Sequence, residues 1–145
     1  MLAQEKINGD YIEQFQLCTA YCNQLMKTYP GSTCFVDWEP SEHPLEIPRF
    51  RRMYICLDPL KKGFHAGCRK VIGLDGCHTK GLIKQQILTA VAVDPSNGWW
   101  PIAWAVVEKE NYDIWSWFLQ SLKDDIGVRN KAEYCIISDR QKVQF

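Results

Sequence analysis

At 145 residues the chain is the size of one domain, long enough to bury a sizeable core and short for a multidomain enzyme. A composition that is 46% hydrophobic and 12% aromatic excludes a disordered tail. Basic and acidic residues number 17 each, so the net charge is zero; that disfavours tight nucleic-acid binding by the whole surface but leaves room for a local basic lip.

Seven cysteines, Cys18, Cys22, Cys34, Cys56, Cys68, Cys77 and Cys135, form no repeated C-x-x-C. The N-terminus has no apolar leader, so most of them read as small core residues of a soluble intracellular chain. No apolar stretch is long enough to cross a bilayer, and no membrane partner is expected.

In chain order, Asn8-Gly9-Asp10 punctuates the start, with Asp10 expected as an N-cap and Glu13 completing a capping box. Tyr11, Phe15, Cys18, Cys22, Leu25, Met26 and Tyr29 then recur at three- and four-residue intervals, which predicts a helix stopped by Pro30-Gly31. Thr33 to Trp38 is β-prone. Residues 39–48 carry three prolines and read as an exposed loop or linker, dividing an N-terminal helical segment (1–48) from a core (49–145). Phe50 to Leu57 predicts a strand, broken by Asp58-Pro59, and Lys61-Lys62-Gly63 is expected to turn the chain.

Within the core, Val71 to Leu74 predicts a buried strand ending at Asp75-Gly76. Gln86 to Val93 and Trp100 to Val107 predict two more, separated by the turn cluster Asp94 to Gly98; Pro101 is tolerable only near a strand's beginning. Ile114, Trp115, Phe118, Leu119, Leu122 and Ile126 form a helical stripe capped by Asn111 or Asp113 and followed by Gly127. Trp115, Phe118 and Leu122 should pack on the sheet. Tyr134 to Ile137 predicts a fourth strand. A crossover helix of this kind would lay that strand parallel to, and beside, the first.

That order brings Asp75 and Asp139 to neighbouring strand ends. Taken singly, each aspartate reads equally as a solvated carboxylate opening a turn. Together they are half of a divalent-cation site, because hard cations prefer carboxylate oxygen. This is the chemistry of a metal-dependent phosphoryl-transfer nuclease or transposase, in which two ions about 4 Å apart flank the scissile phosphate. A third acidic side chain is normally needed. Glu108 and Glu110 lie between strand and helix, but a structural role is the better reading of both. Cys68, Cys77 and His78 match no zinc-finger spacing, and His78 reads as structural or as orienting a carboxylate after the Asp75-Gly76-Cys77 turn. Lys80, Lys84, Arg140 and Lys142 flank the two aspartates and suit either a phosphodiester or plain solvent. The tryptophans from Trp99 to Trp117 are mostly explained by packing between sheet and helix.

Four stretches together resemble the catalytic core of plant Mutator-like element transposases, the MULE transposase domain. They are Arg69 to Gly81, with Leu74-Asp75-Gly76-Cys77-His78 at its centre; Pro101 to Glu108; Trp115-Ser116-Trp117-Phe118-Leu119; and Ile137-Ser138-Asp139-Arg140-Gln141-Lys142. Phe50 to Leu57, Gly63-Phe64 and the helix ending at Tyr29-Pro30-Gly31 resemble what precedes that core. The resemblance implies an α/β, ribonuclease-H-like mixed sheet with a crossover helix, incomplete here and preceded by an N-terminal helix. It implies DDE/D chemistry with Asp75 and Asp139 as the first two acidic residues and metal ligands, and Mg²⁺ or Mn²⁺ as cofactor. It further implies DNA terminal inverted repeats as partner, homo-oligomer formation and a nuclear location. Val143 stands where the family motif carries glycine. The implied third acidic residue, C-terminal zinc knuckle and N-terminal DNA-binding domain have no counterpart in these residues. Cleavage and strand transfer are therefore expected of the parent transposase rather than of this stretch alone. The alternative is a degenerate or domesticated derivative that binds DNA or a partner without cutting.

Overall fold

Three helices and six strands follow one another as α1 (Leu2–Thr28), β1 (Thr33–Glu39), β2 (Arg49–Cys56), α2 (Asp58–Gly67), β3 (Val71–His78), β4 (Gln86–Val93), β5 (Trp99–Val107), α3 (Tyr112–Ile126) and β6 (Cys135–Ser138). The structure, a computed structural model, describes residues 2–46, 48–80, 83–128 and 133–139. The strands form one mixed sheet in the order β1-β2-β5-β4-β3-β6. All neighbours are antiparallel except β3 and β6, which run parallel as the crossover reading required. β1 belongs to the 1–48 segment and pairs with β2 of the core from Thr33↔Cys56 to Glu39↔Arg49, so one strand ladder spans that division.

Two local expectations fail. α1 begins at Leu2, so Asp10 lies inside the helix instead of capping it. Gly9 costs a helix interior only about 1 kcal/mol relative to alanine, too little to stop a run otherwise rich in helix formers. Lys61-Lys62-Gly63 does not turn the chain but continues α2. Pro59 sits in the first turn of that helix, where its missing N–H is no loss. Gly63 is where α2 lies on the Trp100 indole, and a Cβ there would collide with the ring. Trp100 Nε1–H donates to Leu60 O at 3.0 Å, holding the contact.

α2 and α3 cover one face of the sheet. Their core contains Tyr54, Cys56, Phe64, Ile72, Leu74, Leu88, Ile102, Trp115, Phe118, Leu122 and Ile126. Trp115, Phe118 and Leu122 are all buried, as their spacing predicts. α3 is capped by Asn111, whose side chain accepts from Ile114 N–H, and it ends at Gly127 in the left-handed conformation (φ 64°). α1 covers the β1–β2–β5 part of the other face, over Cys34, Phe50, Met53 and Ile55, with Trp104 and Val106 at the margin. Pro101 is the third residue of β5, and β2 pairs with β5 only from Trp104 onward, so no ladder bond is lost on that side. No helix among the described residues is long and apolar enough to cross a membrane.

A buried polar cluster ties the strands before residue 70 to the end of α3. Asp125 Oδ1 accepts from Thr33 Oγ1 at 2.6 Å and pairs with Lys61 Nζ at 2.9 Å. Lys61 also donates to Gly31 O at 2.7 Å. The side chains of Lys61 and Asp125 are only 15% and 8% exposed, so the ion pair is largely withdrawn from water. A carboxylate in the last turn of a helix opposes the helix dipole, and Lys61 offsets that. Beside it, burial, with the charge of Asp125 adding to it, pushes the Cys56 thiol up to about 12. Burial likewise raises the Tyr54 phenol far above its usual range. Both groups are therefore folded in neutral form.

Asp125→Ala should lower stability to urea by about 3 kcal/mol, because it strands a buried ammonium. Lys62→Ala, which breaks the largely exposed Lys62–Asp58 pair, should change it by no more than about 0.5 kcal/mol. The cluster also sets an alkaline limit. Folding raises the Cys56 value from 9.0 to about 12, so its contribution is fully present below pH 9 and is lost as pH climbs toward 12. Urea midpoints recorded from pH 8 to 11 should fall progressively, and less steeply in Cys56→Ala.

Candidate functional site

β3 does not end at Asp75-Gly76. It continues to His78, because β4 keeps pairing with it through Asp75↔Thr89, Gly76↔Leu88, Cys77↔Ile87 and His78↔Gln86. The chain leaves the ladder only after Thr79, whose N–H donates to Gln85 O at 2.9 Å. The expected Asp75-Gly76-Cys77 turn is thus strand. On the other flank the β6 ladder does stop there: its last pair is Leu74↔Ser138. Asp75 is held by β4 on one side and lies just past the end of β6 on the other.

The β3–β6 register advances by one constant offset from Val71↔Cys135 to Leu74↔Ser138, so each aspartate directly follows the last pair of the parallel ladder. Ile72 and Leu74 point into the core under α3, so alternation along β3 puts Asp75 on the opposite face, beyond the part that α1 covers. Both aspartates are exposed. One oxygen of Asp75 accepts from Gly76 N–H at 2.9 Å, and Thr89 Oγ1 donates to the Asp75 carbonyl at 3.2 Å.

Glu110 has a place that the sequence did not reveal. Gly76 faces α3, and a Cβ there would come within 3.2 and 3.3 Å of the two Glu110 oxygens. The missing side chain leaves the space that Glu110 occupies. Its Oε1 accepts from Trp115 Nε1–H at 2.8 Å, satisfying an indole donor in a residue that is 2% exposed. Glu108 is drawn away from the aspartates by Arg49, at 3.1 Å. Structural roles are therefore visible for both glutamates. Among the described residues, no group of three or more His, Cys, Asp or Glu side chains is arranged to hold a metal ion.

Around the aspartates, His78, Lys80 and Lys84 are exposed. His78 Nδ1 lies 3.2 Å from Gln86 Nε2 across the β3–β4 ladder. Arg140 and Lys142, expected on the other flank, lie outside the described residues. Cys77 and Cys135 are exposed, unlike the core residues expected of most cysteines, while Cys22 and Cys34 are buried and joined as a disulfide. The tryptophans mostly follow the packing reading: Trp115 is core, Trp100 and Trp117 pack against it, and Trp99 stays 75% exposed.

A six-stranded mixed sheet with a helical crossover, its parallel ladder ending just before Asp75 and Asp139, defines an α/β domain. Residues 71–144 match the MULE transposase domain, and the chain belongs to that family. It is transposase-derived. No curated protein and no solved structure matches it.

Glu110→Ala should cost roughly 1–2 kcal/mol by leaving the Trp115 indole N–H buried without an acceptor, whereas Glu110→Gln, which keeps an acceptor, should cost far less. Denaturation followed by tryptophan emission checks both. Equal stability of the two variants would show that the indole bond is dispensable.

Proposed function

We propose that this chain is a ribonuclease-H-like core segment of a Mutator-like DNA transposase, with Asp75 and Asp139 as the first two acidic residues of a DDE/D site. What supports the reading is the parallel β3–β6 register, whose last pair, Leu74↔Ser138, immediately precedes both aspartates, together with the exposure of both. Membership of the MULE transposase family supports DNA as the partner, and transposon terminal inverted repeats as the parent protein's target. Work on chromosomal DNA would place the parent in the nucleus.

Two exposed carboxylates are a fitting donor set for one hydrated Mg²⁺ or Mn²⁺, since Mg²⁺ commonly takes one or two carboxylates and keeps several waters. When bound, the cation supplies Lewis-acid polarisation of a phosphoryl oxygen and activation of a water. The chain's own contribution is positional. The β4 ladder fixes the Asp75 backbone, and the bond from Gly76 N–H restrains one carboxylate oxygen. Lys80 and Lys84 add positive charge after β3, where a phosphodiester could be held although the net charge is zero.

Mn²⁺ titration, read as paramagnetic broadening of amide resonances, should locate one weak site at Asp75 and Asp139. Asp75→Asn and Asp139→Asn should each weaken it at least about tenfold, the loss of one charged ligand. Broadening centred elsewhere would refute the site. On duplex DNA with terminal inverted repeats, the 145-residue chain should give no appreciable strand transfer with either metal. In-line displacement needs charge stabilised on both the attacking and leaving oxygens, and two carboxylates hold the second ion poorly. Metal-dependent cleavage that both Asp75→Ala and Asp139→Ala abolish would show instead that the residues present suffice.

A further inference from the structure

Cys22 near the end of α1 and Cys34 in β1 are both 3% exposed and joined as a disulfide, with 5.1 Å between their Cα atoms. That spacing falls in the ordinary disulfide range. The bond closes a short loop, with a sequence separation of 12, through the turn at Tyr29 to Ser32.

Among the described side chains of α1, Phe15, Cys18, Cys22 and Leu25 reach the sheet, and Phe15 stacks on Phe50 at 4.7 Å. Leu17, Tyr21 and Met26 are exposed. The crosslink fixes the C-terminal half of α1 to β1, beside the apolar stripe from Phe15 to Leu25. What the helix covers is apolar: Phe50, Met53 and Ile55, with Trp104 and Val106 beside them. The core under α2 and α3 is a separate cluster on the opposite face and includes neither cysteine.

We propose that the Cys22–Cys34 disulfide is a thiol-controlled latch: oxidised, it fixes α1 over the β1–β2–β5 part of the sheet, and reduced, it lets α1 lift and uncovers that apolar face. The exchange balances with a small thiol of the glutathione class. Two such thiols surrender two protons and two electrons, become one disulfide, and leave Cys22 and Cys34 as thiols. Reduction removes a loop constraint of about a dozen residues, which should increase transient opening of α1 about a hundred-fold. Burial of both sulfurs makes exchange wait for that opening, so the latch switches slowly in each direction.

The test uses the full 145-residue chain, equilibrated with either oxidised or reduced glutathione, then alkylated under denaturing conditions and weighed. In the oxidised sample Cys22 and Cys34 are expected to escape alkylation, while Cys18, Cys56, Cys68, Cys77 and Cys135 each carry either the alkyl group or a glutathione. All 7 cysteines should be alkylated in the reduced one. Amide hydrogen exchange on the two forms should show Cys18 to Thr28 exchanging about a hundred-fold faster when reduced, with α3 unchanged. Cys22→Ala/Cys34→Ala should behave as the reduced form under both conditions, and Cys18→Ser should still respond like the parent chain. Alkylation of Cys22 and Cys34 after oxidation, or equal α1 exchange in both forms, would overturn the latch. So would loss of α3 protection on reduction, because the bond would then be a staple for the whole fold.

Discussion

Trp115, Phe118, Leu122 and Ile126 lose nearly all their accessible surface against the sheet, and that burial governs where the chain can go after Gly127. At about 1.5–3 kcal/mol for each fully buried side chain, the four together are worth roughly 6–12 kcal/mol before chain entropy is counted. That is comparable to the net stability of a typical domain. A helix pinned this firmly returns the chain to the sheet edge beside β3, where a short parallel strand can add. The contacts of β6 run largely through β3, and its own side chains are mostly exposed. The approach of Asp139 to the sheet thus depends on the β3–β6 ladder that ends just before it.

The family match begins at residue 71, the first residue of β3, yet the sheet does not. β2 pairs with β5 over Arg52 to Ile55, and Tyr54 and Cys56 lie in the same core as Trp115 and Phe118. Asp125, in the matched part, is held by Thr33 and Lys61, which precede it. Arg52 joins the two parts again, pairing with Asp37 at 2.6 Å while its guanidinium stacks 4.2 Å over Trp117. An aspartate in the last turn of a helix gains little from its own helix. Its place makes sense only with the upstream strands and α2 in position, so β1, β2 and α2 are integral to the fold around α3.

Periodicity carried most of this architecture. The Gln86 to Val93 strand, the Asn111 cap, the α3 stripe and the parallel return at Cys135 are each determined by local apolar spacing plus one topological rule, and all were readable. The failures share a cause. Gly9, Gly63 and Gly76 were read as punctuation, and each lies inside a regular element because a tertiary partner or good neighbours outweigh the local cost. Gly63 meets Trp100, and Gly76 meets Glu110; neither partner is near in sequence. The Cys22–Cys34 bond was illegible for a similar reason, since it joins a helix to a strand with no motif spacing. Of the candidate site, the parallel β3–β6 pairing just before Asp75 and Asp139 was legible from the sequence, while the bond from Trp115 to Glu110 was not.

The corrected course of β3 changes what can be asked of the aspartates. An aspartate in a turn owes its position to a few backbone torsions, whereas Asp75 is embedded in a ladder that continues three residues beyond it. Asp139 has no such support from its own strand: β6 is four residues long, forms the sheet edge and ends immediately before it. The geometry of the pair therefore rests on the β3–β6 register. A slip of one residue would carry Asp139 to the opposite face, because side chains alternate with a period of two. Ile136 alone does not resist that slip, because its neighbours Cys135 and Ile137 are also apolar. Paired with Ile72, it faces the α3 side, where it lines an apolar cavity with Leu119, Leu122 and Tyr134. A shifted register would turn Ile136 outward and bring a neighbour in. The register therefore rests on the β3–β6 ladder itself rather than on any single apolar side chain.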